Sequence, residues 1–128
     1  MMFAPIYRTL KVPAVTALVD DRIYGSGSAP QNSKLPYLTW FVVATDPHGQ
    51  LSGPPCADTD TIQIDCWAGP EDGGEDVCVK LAKAVRDALD TAGQANRVIT
   101  HGREPDTRLF RISLQTEFIH QRFDGVHL

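Results

Sequence analysis

The 128-residue sequence has no long hydrophobic run: nowhere do about 20 apolar side chains follow one another, the length a membrane-spanning helix needs. Its opening segment, MMFAPIYRTLKVPAV, also lacks the continuous apolar stretch of a secretory signal. No membrane is expected as a partner. Cysteine is scarce, with Cys56, Cys66 and Cys78 alone and no CxxC spacing. An odd number without paired spacing signals neither a disulfide framework nor a zinc site, and points to reduced thiols. An excess of positive charge is missing too. Twelve Lys and Arg against 16 Asp and Glu leave a net charge of -4, which argues against a sequence-independent grip on nucleic acid through many phosphate contacts. Neither GxxxxGK[ST] nor GxGxxG occurs, so no phosphate-cradling loop is signalled.

What is present is patterned for one ordinary domain, residues 1–128. A chain of this length buries roughly two-thirds of its unfolded surface, enough for one core without staples. The organising stretch runs from Asp60 to Ala92. Ile62, Ile64, Cys66 and Ala68 share one face of an extended strand, and Thr61, Gln63, Asp65 and Trp67 share the other. After a Gly/Pro turn, Cys78, Leu81, Val85, Ala88, Leu89 and Ala92 recur at helical spacing, with Asp76, Lys80, Lys83, Arg86, Asp87 and Asp90 opposite. Gly93 stops this helix. Upstream, Ala4 to Val19 reads as helical with a break near Val12, because Pro5 and Pro13 each suit a first helical position. Arg22 to Tyr24 is a brief extended piece, and Gly25 to Lys34 is a surface loop.

Leu35 to Thr45 is the richest β-forming run, apolar on both faces: Tyr37, Phe41 and Val43 on one, Leu38, Trp40, Val42 and Ala44 on the other. Such a strand is either central in a covered sheet or covered in part by another subunit. Asp46 to Ala57 is rich in Pro and Gly and forms an irregular loop or hairpin arm. Arg97 to His101 is a short strand, and Arg108 to Ile119 alternates strictly, with Phe110, Ile112, Leu114, Thr116 and Phe118 toward the core. Residues 121–128 read as a flexible C-terminal tail. The order α-β-β-β-α-β-β, with hairpin-length links, predicts an α+β fold: a mainly antiparallel sheet with the long helix and an N-terminal helix packed on it.

The residue types that carry chemistry do not converge. His48, His101, His120 and His127 are scattered, with none paired at i, i+4 on a helix. Cys56 is the most exposed thiol but has no base or orienting group placed near it in sequence. The acidic turn Glu71-Asp72-Gly73-Gly74-Glu75-Asp76 lacks the alternate-position ligands of a calcium loop and reads as capping and dipole complement for the helix that follows. Arg97, Arg103, Arg108 and Arg111 concentrate around the last hairpin, a solvated face by default and otherwise an ion-pair surface between subunits or one facing DNA in a channel. No catalytic, cofactor-binding or metal-binding residue is assigned. A small hydrolytic or ligand-binding domain with a pocket near Cys56 and His101 is the competing class.

Four words in this order carry a resemblance: ALVDDRIYG, in which the N-terminal helix ends, LPYLTW opening the aromatic strand, TIQIDCWA ending on an aromatic and a small residue, and AKAVRDAL in the long helix. The chain resembles the small tail completion, or tail terminator, proteins of long-tailed bacteriophages, also called tail-to-head joining proteins, from about Ile6 to Phe123. The resemblance implies a structural virion protein with no enzymatic activity and no cofactor. Its subunits would assemble in the host cytoplasm into a ring, typically a hexamer. That ring would cap the tail tube and join it to the neck connector, with DNA passing through the lumen. A head-side connector or stopper of the same neck is the alternative. On this reading Tyr37, Trp40, His48, Gln50, Leu51, Trp67, Arg103, Arg108 and Arg111 are the expected interface residues, and the segments Asp46 to Ala57 and Gly25 to Lys34 would reach the tube or neck.

Overall fold

Two short helices, each introduced by a proline, open the chain: α1 (Ile6–Leu10) and α2 (Pro13–Val19). Pro13 occupies the first turn of α2, while Pro5 is the N-cap of α1, and the break falls at Lys11 and Val12 as the spacing predicts. The computed structural model describes residues 5–25, 29–47 and 57–121. After β1 (Ile23–Gly25) come β2 (Tyr37–Pro47), β3 (Ala57–Ala68), the helix α3 (Gly74–Thr91), β4 (Asn96–Arg103) and β5 (Phe110–Gln121). The element order is the expected one. Gln121, assigned to the tail from sequence, is the last residue of β5, paired with Ala57; 122–128 lie outside the described residues.

The strands form one five-stranded sheet in the order β1-β2-β3-β5-β4, antiparallel except for the parallel pair of β1 and β2. β3 sits at the centre and alternates as the sequence predicts: Ile62, Ile64, Cys66 and Ala68 are buried under the helices, and Thr61, Gln63 and Trp67 lie on the other face. Leu38 of β2 and Ile112 and Leu114 of β5 join the same buried layer, opposite Cys78, Leu81, Val85 and Leu89 of α3. Ile6, Leu10, Val15 and Val19 seal it at the α1 and α2 end. Burying a side chain of the Leu or Ile class contributes roughly 1.5–3 kcal/mol, so this layer is the main source of stability.

The ends of α3 are set by backbone geometry. Gly93 at φ 78° ends the helix, with Gln94 N–H donating to Leu89 O and Gly93 N–H to Asp90 O, so that the last carbonyls are satisfied. Ala92, expected on the buried face, is the exposed C-cap instead, because the helix ends before another turn can carry it back to the sheet. At the other end the N-cap is Gly73 and makes no side-chain cap bond. The acidic turn therefore does not cap α3 as expected; Glu75 and Asp76 in the first turn act on the helix dipole.

β2 departs from simple alternation. Val42 pairs with Ile62 but Ala44 pairs with Thr61, so Val43 is an extra residue in a β-bulge. Ala44 consequently moves to the face of Tyr37 and Phe41, not that of Leu38 and Trp40, since one inserted residue flips every side chain after it. β1 pairs only with Leu38 to Trp40. The half of β2 from Phe41 to Pro47 is exposed, so the strand is central at one end and an edge at the other.

Candidate functional site: the uncovered sheet face

The helices cover one face of the sheet, and the register defines the other. Tyr37, Thr39 and Phe41 of β2 stand opposite Trp67, Asp65 and Gln63 of β3. These in turn stand opposite Arg111, Ser113 and Gln115 of β5. Arg97, Thr100 and Gly102 of β4 complete the rows. Side chains opposite each other across antiparallel strands are close enough to interact, and nearly every polar group here has found a neighbour.

An aromatic strip crosses one end of this face. Tyr24 and Tyr37 meet edge to face with ring centroids 6.0 Å apart, and Tyr37 stacks on Trp67 at 6.2 Å. The Trp67 indole N–H donates to Thr39 Oγ1 at 2.9 Å, which fixes the ring plane. The Arg111 guanidinium lies 5.5 Å from the Trp67 ring centre and forms an ion pair with Glu104 at 3.1 Å. Partial burial, and then the neighbouring Tyr24, raise the Tyr37 phenol above its ordinary range, so it stays neutral.

Next to the strip is a small polar cluster. Asp65 is only 5% exposed and accepts hydrogen bonds from Ser113 Oγ at 2.5 Å and Gln63 Nε2 at 2.9 Å. Arg97 donates to Gln115 at 2.9 Å. The Ser113 hydroxyl and the Gln63 amide both donate to one oxygen of the Asp65 carboxylate, Oδ1, so the buried charge is compensated within the sheet. No group of three or more metal-ligating side chains occurs among the described residues.

The expected interface residues thus divide. Tyr37, Trp67 and Arg111 converge on the uncovered face. Trp40 does not join them: it lies on the helix-covered face, opposite Ile64, with its indole against Gly25. Arg103 stacks on Phe110 at 4.5 Å and donates to the carbonyl oxygens of Arg108 and Pro70, both at 2.8 Å. It ties the β4–β5 turn to the turn before α3. Arg108 is exposed at φ 61° within that turn, away from the strip. His48, Gln50 and Leu51 lie outside the described residues, as does Cys56. His101 faces the helix side, 3.4 Å from Glu75, and lines an open groove with Val79, Val98 and Ile112. Sequence reasoning missed Thr39, Asp65 and Ser113; the buried acid in the middle of a strand was the one available signal.

One open groove, at the β4–β5 side, reaches the uncovered face with Arg97 and Gln115 in its lining, and two others lie along α3; all three are open and not enclosed. A flat, hydrogen-bonded sheet face suits a macromolecular neighbour better than a small ligand, which needs concavity.

No curated protein matches the chain by sequence. Among solved structures, the fold matches a chain of "Virion of native gene transfer agent (GTA) particle" with a TM-score of 0.67 and 18% identity, covering 91% of each chain. At that identity the likeness establishes a shared fold. Residues 4–121 match the family described as tail completion protein gp17, and the chain belongs to that family.

Proposed function

We propose that this tail completion protein is a non-catalytic virion component that forms a ring at the end of the phage tail tube and joins it to the neck connector, with DNA passing through the ring. The observation that carries the reading is the uncovered sheet face. A broad surface whose polar groups are paired with one another, crossed by the Tyr37–Trp67–Arg111 strip, is built to be covered by another protein. Aromatic and arginine side chains of this kind dominate interface energetics when a partner desolvates them. The net charge of -4 supports passage of DNA without a firm hold on it. Family membership and the likeness to a chain of a gene transfer agent virion support assembly in a phage-type particle.

In this reading the strip meets the tail tube or the neck. The test is Trp67→Ala in particles reconstituted from separated heads and tails. Loss of the indole removes the stack with Tyr37 and the ring beneath Arg111, and truncation of an interface hot spot costs about 2 kcal/mol or more, so the yield of joined particles should fall sharply. Joining at the unaltered level, with the variant folded, would count against the strip as the contact.

A further inference from the structure

The described residues include eight large hydrophobic side chains that remain exposed, and six of them fall into two patches at opposite edges of the sheet. Phe41, Val42 and Val43 lie on the half of β2 that β1 does not reach. Val98 and Ile99 lie on β4, the outermost strand at the other side, and Val79 of α3 stands beside Val98 across an open groove of about 350 Å³. Val43, in its bulge, is 54% exposed, and Ile99, at the irregularity between Val98 and Thr100, is 40% exposed. Among the described residues both strands thus show a backbone edge with no pairing strand together with apolar side chains, the combination that natural proteins otherwise protect against pairing.

The two edges differ in ways that fit each other. β2 and β4 run antiparallel within the sheet, because each of the pairs β2–β3, β3–β5 and β5–β4 is antiparallel. Placing β4 of one copy beside the free half of β2 in the next would therefore continue an antiparallel sheet. β4 carries Arg97, His101 and Arg103 and no acid, whereas β2 carries Asp46 and no base. A contact between unlike patches is heterologous, and it generates a closed ring when the rotation between copies closes. Two β2 edges, by contrast, would bring acid against acid.

We infer that the subunit contact of the ring is edge to edge: the free half of β2, with Phe41, Val42 and Val43, packs on β4 and the α3–β4 groove of a second copy. This rests on the ring reading above and names the surface that makes the ring. It leaves the strip of Tyr37, Trp67 and Arg111 free for the tail or neck.

The experiment compares Val43→Lys, Ile99→Lys and, as a control at an exposed site outside both patches, Ile119→Lys. Sedimentation velocity of the full chain is followed over a range of concentrations. A lysine forced into either side of an apolar contact should weaken self-association about tenfold or more, so both edge variants sediment as monomers where the wild type and Ile119→Lys form rings. Mixed one to one, the edge variants retain one intact β2 edge and one intact β4 edge between them, and should form a heterodimer that grows no further. Val43→Asp and Ile99→Asp replace the lysine variants should those fail to fold. The inference is overturned if the wild type remains monomeric throughout, if the edge variants form rings as the wild type does, or if their mixture stays monomeric. Wild-type rings that form through these edges yet fail to join tails would refute the tail role and leave the edge contact standing.

Discussion

Among single side chains, the informative ones are those whose neighbours come from other strands. Trp67 could be placed on the face away from the core by counting along β3, but its stack on Tyr37 and its place beneath Arg111 depend on the register of three strands, which no local pattern encodes. The reverse holds for Arg103, where a cluster of four arginines in sequence suggested one basic surface. In the fold, Arg103 and Arg111 are occupied by different turns and partners, with Glu104 neutralising Arg111. The two buried cysteines behave as small hydrophobes, and their titration is a measurable consequence. Burial pushes the Cys66 thiol well above its ordinary value and Cys78, against a weaker opposing hydrogen bond from the Ile112 backbone, up to about 11. A thiol in the unfolded chain loses its proton near about pH 8.5. Above that pH the unfolded state binds fewer protons than the folded one. The stability present below about pH 8.5 should therefore decline as pH rises through the folded values. Urea midpoints measured up the alkaline limb should fall more steeply for the wild type than for a Cys66→Ala, Cys78→Ala double variant; equal slopes would show that the thiols do not contribute.

The strands and the helices differ in how openly they are written. α3 and the alternating β3 and β5 were legible because a buried face repeats at a fixed period, and the core they predict is the core observed. The bulge at Val43 was not, since inserting one residue into an apolar run leaves its composition unchanged. The same holds for the parallel pairing of β1 with β2, which is fixed by where α2 delivers the chain and not by the three residues of β1. The turn before α3 was misread for a related reason: four carboxylates looked like a cap, whereas the entry is set by tight backbone approach. Gly74 packs so closely that a Cβ there would overlap the carbonyl oxygen of Gly69 and press on Phe110. Gly74→Ala should consequently lower stability by about 1–3 kcal/mol, the range for forcing extra volume into a packed site. Gly93→Ala meets open space and pays only the left-handed backbone term of about 1–2 kcal/mol. Thermal denaturation of the two variants separates steric from conformational causes: shortening Phe110 should recover little of the loss in Gly74→Ala, because the overlap is chiefly with the Gly69 backbone carbonyl, and should leave Gly93→Ala unchanged.

The assembled chain presents its surfaces in an order that suits a link in a particle. One sheet face is sealed by α1, α2 and α3, the other is flat and internally paired, and the two edges carry unlike apolar patches. Under the proposed edge contact, the flat face remains for the proposed contact with the tube or the neck. None of this calls for a catalytic group. The family assignment was legible from the order of four short words, because those words are fold signals spread over the chain; the residues of the contact surfaces were legible only in part, because they are brought together by sheet register and by edges that sequence periodicity does not mark. The most direct measurement is to count joined particles by electron microscopy after mixing DNA-filled heads with tails assembled in the absence of this chain, with and without adding it back. The account predicts that tails lacking it stay unjoined, that adding it places a ring at the tube end, and that joining follows. Heads and tails that join equally well without it would contradict the account.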